Sequence, residues 1–410
     1  MASRKNSSRG NFTAFRGLQN ARGLDQVEFG AFFETENTDI TRSNKPVRRP
    51  GRTRIFSGEV LDIWGDGTVS LFLTASGELR QLFSDATSAV LRSGVTGAGR
   101  LAAVRVANTV YWAYGTHRGV LEEGRDRPFG LDQVFPAGVV ELPASQRLAA
   151  GTYRYAWAVV TGNGEEGPIG IRGAFELTDR GGVELVPPIP VDPRATRVRA
   201  FLTEVDGTNL FRLGEVDAPT NTTEQGQRHV EAMPLLQAVR PRREDLERLP
   251  PFADAHIYNG RLVVAYQNFV LFSERFDYEY FNPAEMFIPF SSRVNIVAPV
   301  KGGVFVGTDT DHFFLRGDDL VRAALDHKAD YGAVPRTVDY LEQKEHGFEV
   351  ADRVAVWMGH RGPVFGLPGG QMEDTGDGVI SFPSNVVHGA GAVRKHNGDV
   401  HYVSVIRHSE

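Results

Sequence analysis

The chain has 410 residues, is 41% hydrophobic, and carries 45 glycines, no cysteine and a net charge of −6. This length allows one large repeat domain plus a smaller one; the missing cysteine excludes disulfides and thiolate metal sites, so stability must come from packing. No stretch approaches the roughly 18 consecutive apolar residues of a membrane span. Met1–Gly10 is basic and lacks the apolar core of a secretory signal, so a soluble protein made in the cytoplasm is expected.

Residues 1–54 hold eleven Lys/Arg against five Asp/Glu, which leaves −12 on the remainder. A basic extended arm on an acidic body suits contact with nucleic acid or with an acidic neighbour. Its cations include Arg42, Lys45, Arg48, Arg49, Arg52 and Arg54, around the Pro50-Gly51 turn.

A recurring phrase then begins: an apolar run, a Gly/Asn/Asp turn, and a second run containing an aromatic. Ile63-Trp64 leads through Gly65–Gly67 into Val69–Leu73, and Leu101–Val106 leads through Asn108 into Val110–Tyr114. After residue 250 the phrase returns around Asn259-Gly260, Lys301–Gly303, Gly359–Gly362 and Asn397–Asp399. Each is a hairpin signal, because Asn-Gly and Gly-Gly supply the positive φ of a tight turn. Six units in one chain point to a repeated β architecture.

Residues 136–240 differ. Gly151–Val160 alternates strictly, with Tyr153, Tyr155 and Trp157 on one face, and short strands recur at turn spacing. That pattern predicts an immunoglobulin-like or fibronectin-III-like sandwich. Residues 241–250 read as a charged short helix or linker, and Leu320–His327 as a helix capped by Asp318-Asp319. The expected class is all-β: a β-propeller of about five to seven blades, built from 55–135 and 241–410 and interrupted by the sandwich at 136–240. Val400–Ile406 would close the ring by sharing a blade with a strand near Ile55–Val60. Two separate β-sandwiches are the alternative.

The chain has no P-loop, no H-E-x-x-H and no G-x-S-x-G elbow. No catalytic residue, metal ligand or cofactor site is assigned, and the expectation is a non-enzyme. Most histidines sit beside turns, and the acidic runs Asp309–His312 and Asp374–Gly378 lack the spacing of a calcium loop. Phe276, Tyr278, Tyr280 and Phe281 crowd a loop between hairpins. So apolar a loop needs something to bury it, which makes these four candidate assembly contacts beside the basic arm. A carbohydrate platform, with Glu274, Asp277 and Glu279 as carboxylates, is the competing reading.

Several phrases resemble tail proteins of double-stranded DNA bacteriophages. NTDITRSNKPVRRPGRTRIFSG (Asn37–Gly58) followed by VLDIWGDGTVSLFL is similar to the opening of such proteins. LFSERFDYEYFNPAEMFIPFSSRVNIVAPVKGGVFVGTDTDHFFLRG (Leu271–Gly317) resembles one of their blades, and AGTYRYAWAVVTGNGEEGP resembles the fibronectin-III-like inserts of phage virion proteins. The resemblance implies a virion structural protein, a tail nozzle or hub ring. It further implies a homo-hexamer bound to adaptor, fibre or spike proteins, with DNA passing through unbound. A tail-tip or baseplate component of a long-tailed phage, a glycan-binding or glycan-active propeller, and a cellular scaffold propeller are the alternatives.

Overall fold

A computed structural model describes residues 38–40, 46–48, 54–142, 144–234, 239–343, 345, 348–375, 386–396 and 399–408. These are almost entirely antiparallel β, with a single helical turn at Thr222–Gln225 and 3-10 turns at Leu320–Arg322 and Pro368–Gly370. All six hairpins form, with pairs such as Trp64↔Leu71, Ile257↔Leu262 and Trp357↔Val364 flanking the turns. Asn259 (φ 46°) and Gly260 (φ 76°) adopt the left-handed conformations that an Asn-Gly hairpin demands. In the second hairpin the positive φ (51°) falls on Ala107, not on Asn108.

Five four-stranded meanders follow one another outside the sandwich. Their leading strands are Val60–Gly65 (sheet I), Ala102–Val106 (II), Asp254–Tyr258 (III), Val294–Val300 (IV) and Asp339–Leu341 (V). Successive sheets share cores, and the strand Thr109–Tyr114 of sheet II shows why. Its side chains alternate between faces. Val110, Trp112 and Tyr114 pack with Leu71, Leu73 and Leu79 of sheet I, whereas Tyr111 and Ala113 pack with Leu262–Ala265 of sheet III. Phe305, Phe314 and Trp357 fill the space between sheets IV and V, with ring centroids 4.7–5.4 Å apart.

A polar clamp recurs at the leading strands. Asp62 accepts the Leu101 N–H at 2.8 Å, at the start of sheet II. Asp254 accepts the Val297 N–H of sheet IV at 2.9 Å, and the Asn295 amide donates to the Ala333 carbonyl ahead of sheet V at 3.0 Å. Asp339 accepts the Val393 N–H of the hairpin Val386–His396/Asp399–His408. Each bond satisfies a backbone group that sheet-on-sheet packing would otherwise strand.

The expected ring closure does not form. Among the described residues, Asp399–His408 pairs only with Val386–His396, over a ladder running the length of both, and Val60–Gly65 pairs only with Ser70–Thr74. Among the same residues no strand is shared between the two ends, and no sheet closes on itself. The β-propeller expectation is therefore corrected to a succession of separate antiparallel sheets. The ends meet through side chains instead. Arg336, ahead of sheet V, bonds Asp62 of sheet I, and Arg100 donates to the Gly389 carbonyl at 3.3 Å. The helix expected at Leu320–His327 is also corrected. Asp319 caps one 3-10 turn, and Ala324–Ala329 then pairs with His312–Arg316, because a free sheet edge outcompetes a turn of helix. Residues 241–250 form turns and a two-residue strand, Glu247–Arg248, rather than a helix.

Within 136–240 two sheets face each other. One comprises Gly138–Glu141, Val183–Val186 and Val230–Glu231; the other comprises Gly151–Thr161, Gly173–Leu177, Ala195–Thr203 and Leu210–Asp217. Tyr153, Tyr155 and Trp157 share one buried face with Val183, Leu185 and Val198. The seam to sheet III is polar. Arg243 grips Asp277 through two bonds of 2.8 and 2.9 Å, lies 3.9 Å over the Tyr280 ring, and reaches the Glu166 carbonyl of the sandwich.

Candidate recognition site

A cavity of about 590 Å³ opens where the sheets converge. Its walls come from two kinds of connection only. Residues 98–100, 251–253, 293–295 and 335–336 lead into, or begin, the first strands of sheets II, III, IV and V. Gly115, Asp309 and His360 lie in the turns between the second and third strands of sheets II, IV and V. All therefore lie at one end of the sheets, where variable loops on a rigid scaffold meet.

The cavity is dominated by guanidinium groups. Arg336 is nearly buried and bonds Asp62 and, at 3.1 Å, the Ile63 carbonyl. Its backbone sits at φ 60°, a left-handed conformation rarely held without surrounding support. Arg100 approaches the same Asp62 carboxylate at 3.5 Å. Arg293 is exposed and has no side-chain hydrogen bond or ion pair among the described residues. Asp309 accepts from the Asn295 amide at 2.9 Å. Burial lowers the His360 pKa against the opposing pull of Asp309, so His360 is neutral near pH 7.

Gly332 seats the Asp309 turn. A Cβ there would lie 2.0 Å from the Asp309 carbonyl oxygen and 2.8 Å from the His360 ring. Gly332→Ala should push the turn away and cost about 1–3 kcal/mol by overpacking, read as a lower urea midpoint at unchanged slope.

Beside the cavity, a buried chain of polar groups locks sheet V to sheet IV. Trp357 Nε1 donates to His312 Nε2 at 2.9 Å, so His312 carries its proton on Nδ1 and donates it to the Tyr331 carbonyl at 2.7 Å. Desolvation pushes the His312 pKa down to about 4. The unfolded chain thus binds a proton between about pH 6.5 and 4 that the folded chain refuses. Stability is full above pH 6.5 and falls on acidification through that window by about 3 kcal/mol. Urea unfolding of His312→Gln from pH 8 to 4 should show a lower starting stability and the loss of this acid slope.

The residues singled out in the sequence scatter. Arg42, Lys45, Arg49 and Arg52 lie outside the described residues; Arg48 ends the strand Pro46–Arg48, which pairs with Thr38–Ile40. Arg54 is exposed and donates to the Phe56 and Ser57 carbonyls. Tyr280 and Phe281 form a buried strand paired with Glu247–Arg248, and the Tyr280 hydroxyl accepts the Leu131 N–H at 2.6 Å. Tyr278 packs 5.6 Å from Tyr111, while Phe276 stays 78% exposed. The loop's aromatics are thus largely buried by the chain's own seam. Glu279 bonds Arg127 and the Gly130 N–H, and Asp277 bonds Arg243. Asp311, His327 and Asp330 place one ligand atom each within 4.8 Å, and His327 already bonds Asp311 at 3.1 Å and approaches Asp330 at 3.3 Å. Sequence reasoning missed Asp62, Arg100, Arg293 and Arg336, which no linear motif connects.

No family model matches the chain, and no curated protein matches it. Solved structures similar to it include the WD40 domain of Neurospora crassa Pan2, at 10% identity over 85% of this chain and 89% of that one, with a TM-score of 0.31. Saccharomyces cerevisiae Sqt1 is similar at 8% identity over 73% and 93%, with a TM-score of 0.21. The extracellular domain of a putative hybrid two component system from B. thetaiotaomicron is similar at 10% identity and a TM-score of 0.28, over 77% of this chain, which spans about a third (32%) of that one. Likenesses this weak assign neither function nor family. The tail-protein resemblance is corrected on other grounds: no family model or curated protein supports a phage virion protein, tail nozzle or DNA channel, and the ring closure expected of a nozzle is absent among the described residues.

Proposed function

We propose that the chain is a non-catalytic recognition module that receives its ligand at the convergent loop end. The carrying observation is the cavity itself, whose walls are drawn from sheets II to V and from no single motif. Its volume suits a small molecule or one side chain of a larger partner. Arg336, the most buried charged group of its wall, is paired to Asp62 of sheet I, an arrangement that fixes its geometry. A thermal-shift panel of small metabolites on the full chain tests this. The expected result is at least one compound that raises the melting temperature, loses its effect in Gly332→Ala, and is recovered chemically unchanged. Turnover of the bound compound, or no shift across the panel, would overturn the reading.

A further inference from the structure

Resting on that reading, we infer that the cavity takes an oxyanion, a carboxylate- or phosphate-bearing group. Three guanidinium groups from separate loops gather at one cavity. Arg100, Arg293 and Arg336 line the cavity in a chain whose net charge is −6, so general basicity does not explain them. Arg100 and Arg336 share a single carboxylate, Asp62, which is itself nearly buried. Arg336 makes the direct bond to it, while Arg100 stands 3.5 Å away. Arg293 has no acid of its own among the described residues.

The neighbouring acids face other partners. Asp309 is engaged by the Asn295 amide. Asp254 accepts the Val297 N–H, faces His256 at 3.6 Å, and has its pKa raised by burial. Burial lowers the Arg336 pKa, opposed by Asp62 and Asp254 and reinforced by the nearby Arg100 charge. An oxyanion seated between these groups would accept the forked N–H donors that guanidinium presents.

The test is calorimetric titration of the full chain in low salt with citrate, with pyrophosphate, and with neutral erythritol. Saturable binding of citrate alone names a carboxylate source, of pyrophosphate alone a phosphate source; either supports the inference when Arg293→Gln weakens it about tenfold. Arg293 is exposed and unbonded, so that variant should melt with the wild type, and a lost signal is then a lost contact. Failure of both anions to saturate, or equal binding by Arg293→Gln, overturns the inference. If a neutral panel compound still binds at the cavity in that case, the recognition reading survives alone. If nothing binds there, both fall.

Discussion

Replacing Asp62 by alanine is expected to cost about 3–5 kcal/mol of folding stability, the range for removing one partner of a buried ion pair. Four groups lose their acceptor at once: the Arg336 guanidinium, the Arg100 guanidinium, the Leu101 N–H and the Ile63 N–H. The first two are cations left in a poorly solvated wall. The third is a backbone donor at the start of sheet II. Asp62 also joins sheet I to the segment ahead of sheet V, across 274 residues of sequence, so the loss should loosen both ends together. Chemical denaturation should show the drop. Asp62→Asn, which keeps the acceptor but not the charge, should recover only part of it.

Arg243→Ala should produce the next largest loss, about 3 kcal/mol, by breaking a partly buried, bidentate and stacked contact. Its consequence differs from that of Asp62. Arg243 spans Asp277 in the connection of sheet III and the Glu166 carbonyl of the sandwich. Without it, the remaining ties include Arg194 to the Gly130 carbonyl, Arg172 to Glu244, the Arg242 N–H to Glu166 and the Tyr280–Leu131 bond. Calorimetry should resolve one cooperative transition in the wild type into two, the sandwich separating from the sheets. A single transition at unchanged temperature would show that the seam carries no stability.

The hairpins were legible because their information is local: two apolar runs and a turn residue with positive φ. So was the face of Tyr153, Tyr155 and Trp157, because alternation is a property of the strand alone. Closure was not legible. It depends on whether two strands over 300 residues apart share a ladder, and nothing within Val400–Ile406 or Ile55–Val60 states a partner. Repetition suggested a ring, but repetition also accommodates sheets joined by side chains. Leu320–His327 failed for the reason common to short helices: the cap at Asp319 is real, yet the neighbouring edge of His312–Arg316 offered more bonds.

The candidate site left one faint signal. Asp62, Asp254, Asn295 and Asp339 each stand as a lone polar residue beside apolar neighbours, in Leu-Asp-Ile, Ala-Asp-Ala, Val-Asn-Ile and Val-Asp-Tyr. Burying such a group is expensive unless it is bonded, so four repeats of the pattern call for four acceptors or donors in adjoining sheets. The arginines gave no such hint, since Arg100, Arg293 and Arg336 each read as ordinary loop cations until the fold brings them to one cavity.

The most direct test of a loop-built recognition site is amide hydrogen exchange on the full chain, with and without the panel compound that most raises its melting temperature. The account predicts protection confined to the segments 98–100, 251–253, 293–295 and 335–336 and to the turns at Gly115, Asp309 and His360, gained together. Protection in the sandwich, or at the opposite end of the sheets, would contradict it.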